Sequence, residues 1–257
     1  MEKDSLVRRT ILLTGAAGRI GSAFVAYADE NMHYHFRLAD RIHEGLATLS
    51  HGEHEQVHLD VADLEACQQA CRGIDMVVHL AADPSPDAQF YDTLLETNIK
   101  GTYNIFRAAK DQGCRRVIFA SSAQAVEAYP LDTQVQPQMA VRPKNLYGVS
   151  KCFGEALAAY FAYNEGLSCI AIRIGAFDEK PAPGQHLSAR DLSAYISPRD
   201  LCQLLVQCIE TPALPFALVH GISNNRFKRL DLTSTQELLS YHPEDDAFQL
   251  FHTGLQG

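Results

Sequence analysis

The sequence predicts an α/β protein with a doubly wound parallel sheet and helices on both faces. Three observations support this fold class: short β-rich apolar segments alternate with helical patterns, the strands are apolar nearly throughout, and the first strand runs into a glycine-rich loop that opens a helix. Strands that are apolar on both faces are typical of buried parallel sheets. The 257 residues suffice for one such domain, with residues 176–257 contributing a small C-terminal substrate lobe.

Strands and helices alternate regularly in the first part of the chain. The second predicted helix ends in Gly73, a common helix C-cap residue. The predicted strands are 9–15, 35–40, 56–60 and 75–82, and the predicted helices are 19–30 and 63–73.

The alternation continues to Gly175 and then weakens. A Pro-containing loop at 83–87 separates the fourth strand from a long helical pattern, and Gly166 closes the longest helix. The elements predicted here are a helix at 90–113, a strand at 115–122, a helix at 145–166, a strand at 167–175, a loop at 177–191, a helix at 197–212 and a short strand at 216–223.

Composition excludes several classes of protein. The net charge of −9 and the pI near 5.6 argue against a nucleic-acid partner, which requires a basic surface. No apolar run approaches the ~20 residues of a membrane span, and the N-terminal residues lack the apolar core of a signal peptide, so we expect a cytoplasmic protein. The seven cysteines include no C-x-x-C pair, which predicts reduced thiols and no metal site.

The segment TGAAGRIG between the first strand and the first helix places glycines at 15, 18 and 21. Gly15 permits a tight turn, Gly18 lets the backbone approach a pyrophosphate, and Gly21 lets helix and strand pack closely. The helix N-terminus offers unpaired N–H groups and a positive dipole end to phosphates. The context of strand, loop and helix therefore predicts a dinucleotide site of the Rossmann type.

An acidic residue at the end of the second strand indicates which dinucleotide binds. Asp40 follows the glycine loop by about twenty residues, where a carboxylate accepts hydrogen bonds from the adenosine ribose hydroxyls. That carboxylate repels a 2′-phosphate, so we predict NAD rather than NADP. Arg41, beside it, keeps the alternative open because an arginine can accommodate the phosphate.

Seven motifs in a fixed order indicate a family. The chain resembles the extended short-chain dehydrogenase/reductases, also called the NAD-dependent epimerase/dehydratase family, over nearly all of residues 10–225. The motifs are TGAAGRIG, LD at 59–60, HLAA at 79–82, TNIKGT at 97–102, FASS at 119–122, YGVSK at 147–151 and RIG at 173–175.

The resemblance implies a cofactor site shared among several strand ends. Asp60 and Val61 should flank the adenine, small residues after the fourth strand should lie under the cofactor, and Asn98 should anchor backbone nearby. The implied cofactor residues are Gly15, Gly18, Arg19, Ile20, Gly21, Asp40, Asp60, Val61, Leu80, Ala81, Ala82, Asn98, Tyr147, Lys151 and Ile174.

Tyr147 and Lys151 lie one helical turn apart, so they form either a plain surface contact or an acid/base pair. The resemblance implies the second role, together with Ser122 rather than its neighbour Ser121. Tyr147 then takes the proton from a substrate hydroxyl, Ser122 positions the substrate oxygen, and Lys151 holds the nicotinamide ribose. We also expect the Lys151 charge to lower the phenol pKa from its ordinary value near 10.

Within the family, the chain most resembles the uronate dehydrogenases and related short NAD-dependent sugar dehydrogenases. No carboxylate follows the strand-end serines before Glu127, which disfavours a dehydratase, and the short C-terminal part favours a small substrate. The resemblance implies oxidation of an anionic sugar at C1 to a lactone, with Arg190 on the anion. Ala123 and Ala176 stand where the relatives carry polar residues, which weakens the case for a uronate itself.

Four alternatives stay open. The chain could be an NAD-dependent glucose-6-phosphate dehydrogenase, a sugar-nucleotide epimerase that retains its NAD, or a non-catalytic cofactor-sensing regulator, although regulators usually lack the Tyr–Lys pair. A solvated loop arginine is the alternative for Arg190. The family also implies a homodimer formed through the long helices that include residues 147–164.

Overall fold

A computed structural model describes residues 9–31, 34–47, 49, 54–177, 187–212 and 214–251. Within these residues the main sheet has seven parallel strands in the order β3-β2-β1-β4-β5-β6-β9, and β7 and β8 form a small separate sheet. The strands are β1 Thr10–Thr14, β2 His35–Asp40, β3 Glu55–His58, β4 Met76–His79, β5 Arg116–Ser122, β6 Ser168–Ile174, β7 Ala176–Phe177, β8 Tyr195–Ile196 and β9 Phe216–Gly221.

Helices cover both faces of the main sheet. α1 packs against α7 on one face, and α3, α4 and α5 pack side by side on the other. The helices are α1 Arg19–Asn31, α2 His43–Leu46, α3 Leu64–Ala70, α4 Thr102–Asp111, α5 Leu146–Glu165, α6 Ala189–Ala194, α7 Pro198–Glu210, α8 Thr233–Leu239 and α9 Ala247–Leu250, with a π-helix at Phe90–Gly101 and a 3₁₀-helix at Ala123–Val126.

Alternation along each strand explains why the strands are apolar throughout. In β1, Ile11 and Leu13 enter the core under α1 and α7, while Leu12 enters the core under α3, α4 and α5. Each of these side chains is fully buried, and burying one contributes roughly 1.5–3 kcal/mol of transfer free energy. The predicted fold class, a doubly wound parallel sheet, is confirmed.

Three details differ from the sequence-based expectation or extend it. The pattern predicted as one helix over 90–113 begins as the π-helix and becomes α-helical at Thr102. Within residues 176–257, β9 joins the main sheet and α7 packs on α1, so the substrate lobe predicted there stays a prediction. The predicted loop at 177–191 is described only at Phe177 and from residue 187, where α6 follows.

In the described part of the chain, no helix is both long enough and apolar enough to cross a membrane. Residues 1–8, on which the expectation of a missing signal peptide rests, lie outside the described residues.

Candidate active site

A cavity of about 530 Å³ opens at the carboxyl ends of the strands. It spans the ends of β1 and β4, where the strand order reverses, which is where ligands bind in open α/β sheets. The structure brings nearly all sequence-predicted site residues to its wall: Gly15, Gly18, Arg19, Ile20, Gly21, Asp40, Asp60, Val61, Leu80, Ala81, Ala82, Ser122, Tyr147, Lys151 and Ile174.

The glycine loop has the geometry that its sequence predicts. Gly15 has φ of 72°, in the left-handed region that favours glycine, and a Cβ there would lie 2.7 Å from the Ala81 nitrogen. A Cβ on Gly21 would lie 2.4 Å from the Gly15 carbonyl oxygen, so only glycine lets α1 begin this close to the loop. The N-terminal end of α1 therefore faces the cavity, where its dipole favours phosphate.

The Asp40 carboxylate is fixed by backbone donors. One of its oxygens accepts from the Ala17 N–H and the other from the Ile42 N–H, each at 3.0 Å. Each carboxylate oxygen keeps a second lone pair for a ribose hydroxyl. Arg41 also lines the cavity, with its side chain exposed to solvent.

The predicted adenine end is formed by the turn after β3. The Asp60 side chain accepts from the Ala62 N–H at 2.9 Å, which holds this turn in shape. The buried Asn104 amide donates to the Val61 carbonyl at 3.0 Å, so α4 fixes the same turn from behind.

Asn98 lies behind the cavity wall and not on it. Its side chain accepts from the Asp83 N–H at 2.8 Å, and its amide donates to the Asp83 carbonyl and to the Ser150 hydroxyl, both at 3.1 Å. It therefore ties the loop after β4 to α5, which fits the expected role of anchoring backbone near the cofactor.

His79 is a buried strand histidine that packs behind the cavity. Its Nδ1 hydrogen-bonds Thr14 Oγ1 at 2.7 Å, and its Nε2 lies 3.4 Å from Thr102 Oγ1. Burial, and secondarily the charge of Lys151, lowers the His79 pKa to about 3, so the ring is neutral and structural.

Ser122, Tyr147 and Lys151 come together at the inner end of the cavity. Ser122 ends β5, while Tyr147 and Lys151 lie on the first turns of α5, whose Asn145 cap accepts from the Gly148 N–H at 2.7 Å. The Tyr147 hydroxyl lies near Ser122, whose hydroxyl lowers the phenol pKa. The Lys151 Nζ donates to the Ala120 carbonyl at 2.8 Å and lies 5.4 Å from the centre of the Tyr147 ring.

The pKa values in this group differ from the expectation. Burial raises the pKa of Tyr147 to about 12, and the hydrogen bond from Ser122 opposes this only in part. Burial also lowers the pKa of Lys151 to about 7. In the protein alone, burial therefore governs the phenol pKa, and a lowering by the Lys151 charge with NAD bound stays a prediction.

The neighbouring serine has a separate structural role. The Ser121 hydroxyl donates to Glu155 at 2.6 Å, and Glu155 forms a buried two-point ion pair with Arg173 at 2.9 and 2.8 Å. This network joins β5, β6 and α5 beneath the site. Sequence reasoning missed it, although a glutamate and an arginine within otherwise apolar elements were its signal.

Arg190 is held away from the cavity wall. Its Nε and Nη2 donate to the two carboxylate oxygens of Glu127 at 2.8 and 2.5 Å, and its Nη1 donates to Asp191 at 3.1 Å. Sequence reasoning did not foresee this pairing with Glu127. The role of Arg190 in binding an anionic substrate stays a prediction.

Several cavity residues were not assigned by sequence reasoning. Gln124, Pro84, Pro86 and Phe177 also line the cavity. The Gln124 side chain accepts from the Asn145 amide at 2.9 Å, which ties the turn after Ser122 to the start of α5. A lone glutamine in an alanine-rich turn, two positions after the serine, was the available signal.

The fold and this site define a Rossmann-type protein with a dinucleotide cavity. The chain belongs to the NAD dependent epimerase/dehydratase family, whose model matches residues 11–183. The family membership expected from the seven motifs is confirmed, and with it NAD as the cofactor.

Curated relatives are similar over nearly their whole length. The chain is 34% identical to the NAD-dependent glucose-6-phosphate dehydrogenase of Haloferax volcanii, covering 95% of this chain and 96% of the relative. It is 35% identical to the L-arabinose 1-dehydrogenase (NAD(P)(+)) of the same organism, covering 92% and 97%. It is 32% identical to the uronate dehydrogenase of Pseudomonas putida, covering 92% and 84%.

Solved structures agree with this grouping. The uronate dehydrogenase from Agrobacterium tumefaciens superposes with a TM-score of 0.83 at 32% identity, covering 97% of this chain and 90% of that one. The glucuronic acid dehydrogenase from Chromohalobacter salexigens superposes with a TM-score of 0.85 at 30% identity, covering 97% and 90%.

The cavity residues fit NAD. The glycine positions that a Cβ would fill leave room for backbone to approach a pyrophosphate, and Asp40 supplies oriented acceptors for ribose hydroxyls. Small side chains at Ala81 and Ala82 permit close approach of a flat ring system.

Proposed function

We propose that the chain is an NAD-dependent sugar dehydrogenase that oxidises the C1 hydroxyl of a small sugar to a lactone. The observation that carries this proposal is the grouping of Ser122, Tyr147 and Lys151 at the inner end of the NAD cavity. The three relatives described above are named as dehydrogenases of sugars or sugar derivatives, which supports the same class of reaction.

Each residue of the triad has a distinct task. Ser122 donates a hydrogen bond to the substrate oxygen and fixes its position beside the phenol. Tyr147 takes the proton from that hydroxyl, which requires its raised pKa to fall. Lys151 holds the ribose hydroxyls of the cofactor and, in its charged form, stabilises the phenolate. Bound NAD supplies the hydride acceptor and a positive charge near the phenol.

Two classes of sugar compete for this site. Uronates and sugar phosphates, the anionic class that the resemblance implies, are the substrates in two of the relatives' names, whereas L-arabinose is uncharged. The Glu127–Arg190 ion pair favours the uncharged class, because it neutralises the arginine expected to bind an anion. Which class of sugar binds therefore depends on whether the Arg190 guanidinium is available to the substrate.

The proposal is tested with a panel of aldoses, uronates and sugar phosphates, with NADH followed by its absorbance. We expect net NADH from at least one sugar and a lactone as its product. Formation of an epimer without net NADH would instead identify an epimerase that retains its cofactor. Tight NAD binding without turnover of any sugar would indicate a cofactor-sensing regulator.

We also propose a homodimer formed through α4, α5 and the π-helix. These packed elements leave large apolar side chains exposed, a pattern typical of an interface. The residues and their exposed fractions are Tyr91 at 83%, Tyr163 at 70%, Tyr160 at 49%, Val149 at 48% and Tyr103 at 44%. A sedimentation mass equal to the 28.4 kDa of one chain would contradict the dimer.

All seven cysteines lie in the described residues as free thiols, six of them buried. Free thiols are typical of a reducing compartment, which supports the cytoplasm as the proposed location.

A further inference from the structure

We propose that Glu127 is a specificity-determining residue that makes this site select uncharged sugars over uronates and sugar phosphates. The Glu127 carboxylate pairs with the Arg190 guanidinium and so occupies the position in which Arg190 would otherwise bind the anionic group of a substrate. The inference rests on the proposed sugar dehydrogenase function and names the substrate class of the same site.

The Glu127–Arg190 pair is strong and sheltered. Both carboxylate oxygens face the guanidinium, and the two side chains are only 12% and 19% exposed. The third edge of the guanidinium donates to Asp191, which itself caps α6. All three guanidinium nitrogens of Arg190 thereby donate to carboxylates, so the donors that would bind a substrate anion already have partners.

The pair lies beside the cavity, behind residues that line it: the Ala194 carbonyl of α6 lies against Gly175 of the cavity wall. Glu127 directly follows the 3₁₀-helix that begins after Ser122 and carries Gln124, a cavity residue. Arg190 lies on α6, which runs into β8, and β8 pairs with β7, whose Phe177 lines the cavity. The ion pair therefore joins the turn after Ser122 to α6, and both segments adjoin the cavity wall.

Two other cations, Arg229 and Lys151, also donate to backbone carbonyls. Arg229 donates to the carbonyls of Tyr129, Pro130 and Thr133, at 2.6–2.7 Å. Lys151 donates to the Ala120 carbonyl at 2.8 Å. Arg229 and Lys151 are thus already held by backbone carbonyls of the protein.

An anionic sugar must therefore displace Glu127 from Arg190 or leave its own charge beside a carboxylate. Displacement leaves a sheltered glutamate without its partner, and repulsion between like charges is strong where water is largely excluded. An uncharged sugar avoids both costs. The net charge of −9 adds a long-range field that opposes anions further.

The test compares D-galacturonate with D-galactose, which differ only in the carboxylate, and glucose 6-phosphate with D-glucose. We expect kcat/KM of the wild-type enzyme to be at least tenfold higher for the uncharged partner of each pair. The variant Glu127→Gln removes the competing charge, so the anionic-to-neutral ratio of kcat/KM should rise at least tenfold. The control Glu96→Gln removes an exposed glutamate paired with Lys100 and should change that ratio less than twofold.

A purely structural role of the ion pair predicts a different result. Loosening α6 would lower kcat/KM for charged and uncharged sugars together and leave their ratio unchanged. The double variant Glu127→Gln/Arg190→Gln distinguishes the accounts further. If Glu127→Gln frees Arg190 for the anion, adding Arg190→Gln should lower kcat/KM about 10- to 150-fold for the anionic sugar alone. A double variant with the same ratio as Glu127→Gln would contradict the role of Arg190.

If no sugar is oxidised, the proposed function is refuted. A binding measurement still tests the inference in that case. In NAD-loaded Tyr147→Phe protein, calorimetric titration with galacturonate is compared with and without Glu127→Gln. Tighter galacturonate binding in the double variant supports the inference. Equal binding in both, or a wild-type preference for the anionic sugars in the kinetic test, overturns it.

Discussion

Asp40 should decide between NAD and NADP, and the structure indicates how much depends on it. In the wild-type protein the Ala17 N–H and the Ile42 N–H each donate to a different oxygen of the Asp40 carboxylate. The change Asp40→Asn replaces one of these two oxygens with an NH₂ group. The amide NH₂ would then face a backbone N–H, and a ribose hydroxyl would lose a charged acceptor.

Losing one hydrogen bond to a charged group costs about 1.5–3 kcal/mol, which corresponds to roughly 10- to 150-fold in affinity. We expect the dissociation constant of NADH to rise by that factor in Asp40→Asn. The dissociation constant of NADPH should change less, because the substitution also removes the repulsion between the Asp40 carboxylate and the 2′-phosphate. The preference for NADH should therefore shrink.

The assay is fluorescence titration with NADH and NADPH, which needs no sugar substrate. Asp63→Asn is the matched control, because its carboxylate also accepts from a backbone N–H, that of Ala66 at 3.1 Å, but lies outside the cavity wall. The reasoning is refuted if the wild-type protein binds NADPH more tightly than NADH, or if Asp40→Asn changes NADH binding less than threefold. Either result would make Arg41 the residue that governs this pocket.

Two further predictions concern buried ionisable groups. His79, whose pKa falls from 6.5 to about 3 on folding, binds a proton only in the unfolded state between those values. Stability should therefore fall by about 1 kcal/mol from this group as the pH drops from 7.5 to 5.5. Urea unfolding of His79→Gln should show a correspondingly shallower dependence of stability on pH, and an equal dependence would contradict this. The pKa of Lys151 falls from 10.5 to about 7 on folding. At neutral pH the unfolded chain keeps the Lys151 ammonium fully protonated, whereas burial disfavours that charge, so this group lowers the stability of the folded state. Lys151→Met should thus be inactive, yet its free energy of unfolding at pH 7 should be higher by on the order of 2–4 kcal/mol. A less stable variant would show that the hydrogen bond from Lys151 to the Ala120 carbonyl outweighs the cost of burying the ammonium.

The sequence was sufficient for the features that depend on local pattern. Apolar strands such as β1 and the strand–loop–helix arrangement around Gly15 and Gly21 follow from periodicity and backbone sterics. Because parallel strands end at one edge of a sheet, Asp40 and Ser122 could be placed at one cavity without coordinates. The family motifs then assigned Tyr147 and Lys151 to that cavity.

The remaining features depend on contacts between residues far apart in the chain. Glu127 and Arg190 are 63 positions apart, and nothing near either residue in the sequence indicates that they meet. The phenol pKa likewise depends on burial by several elements around Tyr147, which a spacing of one helical turn does not reveal. The π-helix at Phe90–Gly101 was missed because its apolar pattern is compatible with an ordinary helix.

Tyr147→Phe tests the central claim most directly, because the ring still packs while the proton acceptor is removed. The measurement is single-turnover formation of NADH with the best sugar of the panel, beside NADH binding by fluorescence. The proposed mechanism predicts a loss of at least 10²–10⁴-fold in the hydride-transfer rate with NADH affinity nearly unchanged. A variant that keeps a tenth of the wild-type single-turnover rate would show that Tyr147 is not the base and that the triad does not carry the reaction.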